Sequence, residues 1–268
     1  MTAKFRALTA FLLGLAGVGF AADAAVTPIT RAHAHNDYEH TRPLFDALDQ
    51  GFNSVEADIF LVDGKLLVGH TALSLKPERT LESLYLDPMR DRVRANGGRL
   101  HKDGPPAWLL IDVKTEANST YAALDKVLAK YADVLTSIDG DRVDKKAITV
   151  VVSGNMAKAA MEKQQRRYAG YDGRAPEVDS DIPASLMPWV SDNWTKLFQW
   201  RGDGKMSGEE RAKLNDFVTR AHKHGRLVRF WATPEKPEFW AELRAADVDL
   251  INTDQLAELR KFLVGNGK

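Results

Sequence analysis

Three histidines, an asparagine and an aspartate crowd into the ten residues Arg31 to His40, RAHAHNDYEH. Further along, Ser54 to Phe60 reads SVEADIF, with Glu56 and Asp58 two residues apart, and Leu110 to Lys114 reads LIDVK, with Asp112 and Lys114 at the same spacing. Alternate residues of a strand share a face, so Glu56 and Asp58 look one way while Val55, Ala57 and Ile59 look the other. Carboxylates held side by side repel unless protons or a cation neutralise them. A hard divalent cation, Ca²⁺ or Mg²⁺, prefers such oxygen ligands, and Asp112 from another strand would complete the set. Lys114 beside it suits a phosphate oxygen as a point charge. The plainer reading of Asp112 and Lys114 is an ion pair on a solvated strand end.

The histidines allow two chemistries. His33 and His35 share strand parity, and a His-x-His pair ending a first strand is how metal-dependent amidohydrolase barrels begin a site. That site needs histidines at the ends of later strands, and the other five (His40, His70, His101, His222 and His224) end neither a fifth nor a sixth strand. The second chemistry pairs His35 with His70. Between Phe60 and His70, Asp63-Gly64 separates two apolar runs, a hairpin signal that would return His70 toward Glu56 and Asp58. One imidazole would activate a nucleophile and the other protonate the leaving oxygen, in either order, on opposite sides of a phosphodiester. A metal between them would stabilise developing charge and acidify the attacking group.

Positioning such residues takes a scaffold. Strands are expected at Ile29 to His35, Ser54 to Phe60, Trp108 to Val113, Ala147 to Ser153, Arg167 to Tyr171, Trp189 to Ser191, Leu227 to Ala232 and Asp249 to Asn252. Helical periodicity falls between most of them, at Arg42 to Gln50, Leu81 to Ala95, Tyr121 to Leu135, Met156 to Lys163, Gly208 to His224 and Pro237 to Ala246, and again after the last at Gln255 to Val264. This alternation predicts an α/β fold, a (β/α)8 TIM barrel. A doubly wound open sheet is the competing architecture, but its glycine-rich loop after the first strand is missing. Trp108, Trp189, Trp194, Trp200, Trp231 and Trp240 are expected to pack in the core or at the rim, and the best candidates among them for the barrel mouth are Trp231 and then Trp194, which follows the sixth strand.

With 44% hydrophobic and 28% charged residues, the 268-residue chain can bury an ordinary core. Thirty-seven basic and 37 acidic side chains cancel, so no global field favours nucleic acid and phosphate recognition must be local. The absence of cysteine excludes disulfides, thiolate metal sites and cysteine nucleophiles. Lys4 and Arg6, the apolar run Leu8 to Phe20 and Ala22-Asp23-Ala24 read as a signal peptide over residues 1–24. The remainder, 25–268, is expected to be one domain, exported to the periplasm or beyond, meeting membranes at most peripherally.

Four segments taken together resemble the superfamily of glycerophosphodiester phosphodiesterases and phosphatidylinositol-specific phospholipases C: His35-Asn36-Asp37-Tyr38, Ser54 to Asp58, Asp63-Gly64 with Leu67 to His70, and Ile111 to Lys114. Within it the sequence is most similar to the altered inheritance of mitochondria branch, and Phe230 to Pro234 and Ile251 to Asp254 extend the likeness to the closing strands. The resemblance implies a phosphoric diester hydrolase acting on a small-molecule or lipid-headgroup phosphodiester. By it, His35 and His70 would be the catalytic pair, Glu56, Asp58 and Asp112 the ligands of Ca²⁺ or Mg²⁺, and Asn36 a further candidate ligand. Lys114 and Trp231 would face substrate. The chain departs from the glycerophosphodiesterases in having His-Asn-Asp for His-Arg-Gly, no Pro-Glu-Asn-Thr motif, and Asp112 where a glutamate is usual. Asn36 also has the wrong parity to join His35 unless the chain turns there.

Overall fold

The computed structural model describes residues 26–265. Eight parallel strands close into a barrel with helices between them: β1 (Ala32–Ala34), β2 (Ser54–Val62), β3 (Ala107–Val113), β4 (Ile148–Gly154), β5 (Ala169–Gly173), β6 (Trp189–Asn193), β7 (Leu227–Trp231) and β8 (Leu250–Thr253). Each pairs with the next in sequence, and β1 closes the ring by pairing Ala32, His33 and Ala34 with Ile251, Asn252 and Thr253 of β8. The eight expected strands are all present.

Alternation explains why these strands build a barrel. Outward residues such as Val55, Ala57 and Ile59 join one core with helix residues such as Leu124 of 117–128, Leu214 of 208–223 and Leu259 of 256–265. Burying these apolar side chains is the main stabilising term, about 25 cal/mol per Å² removed from water. Local signals set the helix starts. The Ser207 hydroxyl accepts from Glu210 N at 3.1 Å, and Glu116 accepts from the amides of Asn118 and Ser119. Those bonds hold the Glu116 carboxyl down to about 2.

Two additions matter. Beyond the barrel rim β2 continues into a hairpin with strand Lys65–Val68, pairing Ile59 with Val68 and Phe60 with Leu67. Its turn places Asp63 and Gly64 at φ 47° and 77°, conformations that Asp-Gly adopts at low cost. A small sheet of Ser137–Asp139, Arg142–Asp144 and Arg166–Arg167 flanks the barrel; of these residues only Arg167 is expected in a strand, as the start of the fifth, and it pairs with Ile138 instead. No described helix is long and apolar enough to cross a membrane.

Candidate active site

Inward-facing residues of the barrel stack in three levels. At the N-terminal end of the strands, Trp108, Leu110, Val151, Trp189, Leu227 and Leu250 form an apolar floor. Above it lies a buried polar level. His33 is fully buried, with Nδ1 2.7 Å from Ser54 Oγ and Nε2 3.2 Å from Glu56 Oε2. Arg229 donates to Glu56 Oε2 at 2.9 Å and to Asn252 Oδ1 at 2.8 Å. Burial alone would raise the Glu56 carboxyl, but the Arg229 guanidinium and the His33 bond hold it well below the usual carboxylate range. Desolvation takes His33 down to about 4, so this histidine is a neutral hydrogen-bond partner, not an ion.

The third level opens to solvent at the C-terminal ends of the strands, as a cleft of about 360 Å³. Asp58 and Asp112 are direct register partners on β2 and β3, and oxygens of Glu56, Asp58 and Asp112 all lie within 4.8 Å of one another. Lys114 Nζ bridges Asp58 Oδ2 and Asp112 Oδ2, 3.0 Å from each. Desolvation and the neighbouring Glu56 charge push Asp58 up to about 6, and burial raises Asp112 as well, so one lysine leaves the group short of positive charge. Asp58 Oδ1 and Asp112 Oδ1 are both buried without a hydrogen-bond partner. Orphaned carboxylate oxygens are costly unless a hydrogen-bond donor or a cation meets them, and an all-oxygen set of this kind fits a hard divalent cation. Gly154 makes room for the cluster: at φ 69°, a Cβ there would stand 1.9 Å from Asp112 Oδ1.

The hairpin returns His70 to this cluster, with Nδ1 3.6 Å from Asp58 Oδ2. His35, just past the end of β1, lies on the same cleft. Its Nδ1 is 2.8 Å from Asp254 Oδ1; although burial opposes protonation, the Asp254 bond and the Glu56 charge raise its pKa. Asn36 takes a left-handed conformation, φ 46° and ψ 33°, which supplies the turn its parity demands and brings it into the cleft wall. Its Oδ1 lies 2.7 Å from the Tyr38 hydroxyl, which also reaches Asp58 Oδ2 at 2.6 Å. Trp231 also lines the cleft, beneath the Arg174 guanidinium, 5.1 Å from its ring centroid.

All eight residues singled out for the site therefore line one cleft. Trp194 is different. It is completely buried, packed on Phe198, Phe230 and Phe239 with Nε1 donating to Trp200 O, so it belongs to the outer core and not to the mouth. It follows β6 by one residue with the outward parity of Val190, and opens the short helix Trp194–Leu197. Both His33 nitrogens are engaged inside the barrel, which leaves it no free lone pair for a metal shared with His35. Reasoning from motifs missed Arg229, Asp254, Tyr38 and Arg174. Arg229 had a signal: it shares the inward parity of Trp231 within an otherwise apolar strand.

Comparison with known proteins bears on this arrangement. The AIM6-like phosphodiesterase domain matches residues 21–102, a span that holds His35, Glu56, Asp58 and His70 and stops before Asp112. Over that span the chain is similar to AIM6 proteins. Altered inheritance of mitochondria protein 6 of Eremothecium gossypii is 29% identical to it over 309 residues, 97% of this chain and 79% of that protein. Among solved structures, a calcium-dependent phosphoinositol-specific phospholipase C from Pseudomonas superposes with TM-score 0.55 at 14% identity, over 88% of this chain and 93% of the other. A putative glycerophosphoryl diester phosphodiesterase from Silicibacter pomeroyi gives 0.53 at 14%, over 90% and 95%. At such identities the likeness establishes the barrel alone.

The same comparisons correct the expectation of export. The expected leader, residues 1–24, lies outside the described residues. Alignment over 97% of the AIM6-like chain nevertheless runs into that segment, and the relative is named for mitochondrial inheritance, not secretion. Signal peptide and secretion are accordingly withdrawn. A basic start followed by a short apolar run is a compositional pattern read by receptors, with no packing partner to narrow its meaning.

Proposed function

We propose that this AIM6-like chain is a metal-dependent phosphoric diester hydrolase that uses His35 and His70 as its general acid and base. One observation carries the reading: two histidines flank a carboxylate triplet in which one buried oxygen each of Asp58 and Asp112 lacks a partner, in a cleft also lined by Lys114 and Arg174. Glu56, Asp58 and Asp112, with Asn36 beside them, would hold Ca²⁺ or Mg²⁺. Bound there, the cation supplies Lewis-acid stabilisation of the phosphoryl oxygens.

The chain's own groups do the rest. Lys114 and Arg174 meet the charge of the diester, and Trp231 gives its organic portion an apolar wall. His35, oriented by Asp254, exchanges a proton with the nucleophile or the leaving oxygen, and His70 serves the opposite oxygen. The substrate class is a glycerophosphodiester or a phospholipid-type headgroup. Water as nucleophile gives a monoester, and a substrate hydroxyl gives a cyclic phosphate. An amidohydrolase would need His33 as a ligand, and that side chain is already committed to Ser54 and Glu56.

The test is hydrolysis of bis(p-nitrophenyl) phosphate by the full chain with Ca²⁺, Mg²⁺ or EDTA, beside His35→Ala and Asp112→Asn. The expected result is metal-dependent turnover that falls roughly 10²–10⁴-fold in His35→Ala and is lost in Asp112→Asn. Ligand binding without turnover of any diester would instead point to a phospho-ligand-binding barrel.

A further inference from the structure

Tyr38 is 1% exposed, yet its hydroxyl reaches the base of the cleft and meets three polar atoms at once. Asp58 Oδ2 lies at 2.6 Å, Asn36 Oδ1 at 2.7 Å and His70 Nδ1 at 3.0 Å. The phenol ring also stacks on the His70 imidazole, with centroids 6.3 Å apart and planes 21° from parallel.

A phenol owns one proton and can otherwise only accept. Asp58 and Asn36 present oxygens at the two shorter distances, and an ionised carboxylate or an amide carbonyl has no proton to return. Whichever of them takes the hydroxyl proton, none remains for His70. The 3.0 Å contact is then a hydrogen bond only if His70 Nδ1 carries the hydrogen and the Tyr38 oxygen accepts it. The hydrogen bond made by one ring nitrogen settles the state of the other.

We propose that Tyr38 is a positioning residue that holds His70 in its Nδ1–H tautomer and so reserves Nε2, on the far side of the ring, for the reacting diester. The proposal rests on the assignment of His70 to the acid/base pair. Neutral His70 then offers a lone pair at Nε2, and charged His70 offers a proton from the same atom, so the working nitrogen stays the same through the proton cycle. The hydroxyl also joins His70 to Asp58. A carboxylate that must be ionised to hold a cation thereby orders the donor and acceptor of its neighbour. Free histidine side chains favour the Nε2–H form, which would leave the working nitrogen with no lone pair when neutral.

Two-bond ¹H–¹⁵N spectra of ¹⁵N-histidine-labelled full-length protein, recorded at alkaline pH where imidazoles are neutral, distinguish the tautomers directly. His70 is identified by the signals lost in His70→Gln, and spectra are taken in EDTA and in Mg²⁺. The expected result is Nδ1–H for His70 in the unmodified chain and a shift to Nε2–H in Tyr38→Phe, whose ring keeps the packing. An Nε2–H tautomer in the unmodified chain overturns the proposal whether or not the variant folds, and so does a tautomer unchanged by Tyr38→Phe. In the diesterase assay, Tyr38→Phe should lower kcat by roughly tenfold or more with KM held, a part of what a general acid or base contributes; an unchanged kcat would overturn the link to catalysis. The spectra need no substrate, so they decide the tautomer even if the chain hydrolyses no diester.

Discussion

The two ends of the barrel interior are built by the same strands and differ in almost everything else. Trp108 and Asp112 sit four residues apart on one face of β3, separated along the strand by roughly 13 Å; one packs into an apolar floor and the other lines a charged mouth. The floor is held by contact area, and any well-shaped apolar group can supply it. The mouth is held by charges that need one another, and removing one strands its partners. Between them, the Glu56–Arg229 pair belongs electrically to the mouth although it is as dry as the floor.

The sharpest contrast comes from breaking each end once. Trp189→Ala should cost about 3–5 kcal/mol from lost burial and cavity formation, and Arg229→Met a similar 3–5 kcal/mol because Glu56 is left buried without its cation. The two differ in rescue. Adding Glu56→Gln should recover most of the Arg229→Met loss and none of the Trp189→Ala loss, measured by guanidinium unfolding. Equal recovery in both would mean that Arg229 acts by packing alone.

A smaller effect separates the ends by pH. Asp58 has a folded pKa of about 6, above its ordinary value of 3.8, so between those pH values the folded state binds more protons than the unfolded one. Stability in EDTA should therefore fall as pH rises from 4 to 6, by an amount on the order of 2–3 kcal/mol. Saturating Mg²⁺ or Ca²⁺, or the change Asp58→Asn, should flatten that loss in thermal melts. A metal-free curve that is already flat would remove the charge deficit assigned to the mouth.

Gly154→Ala should cost roughly 1–2 kcal/mol for its left-handed backbone and, because the new methyl displaces Asp112, should abolish the melting shift produced by Mg²⁺ or Ca²⁺. A retained metal shift would show that Asp112 is dispensable to the site. The finest probe is Asp254→Asn. Asp254 raises the pKa of His35, so the limb of the pH–rate profile that belongs to His35 should move to lower pH in the variant. Movement of the acid limb identifies His35 as the base, and movement of the alkaline limb identifies it as the acid. No movement of either limb would separate His35 from the chemistry.

Much of this was legible before any coordinates. Period-two alternation is a local property, so Val55-Glu56-Ala57-Asp58 declared which residues face inward, and Asp63-Gly64 declared the hairpin that returns His70. A similar signal, Ile138-Asp139-Gly140 ahead of Arg142-Val143-Asp144, marks the small flanking sheet, but its strands are too short for alternation to show. Trp194 illustrates the limit from the other side: its place directly after β6 made it a candidate for the mouth, but it has the outward parity of Val190 and packs on Phe198, Phe230 and Phe239.

Short-range spacing was enough for the barrel, the inward faces of its strands and the candidates for cation binding and proton transfer, because alternation and turn signals are local. Which of them meet depends on how the ring closes. Asp254 reaches His35 across 219 positions and Arg229 reaches Glu56 across 173, contacts that exist because β8 closes on β1 and the ring brings β7 across from β2. Charge and proton placement in the cleft depend on those meetings, since electrostatic and hydrogen-bond energies fall off over a few ångströms of space and take no account of distance along the chain.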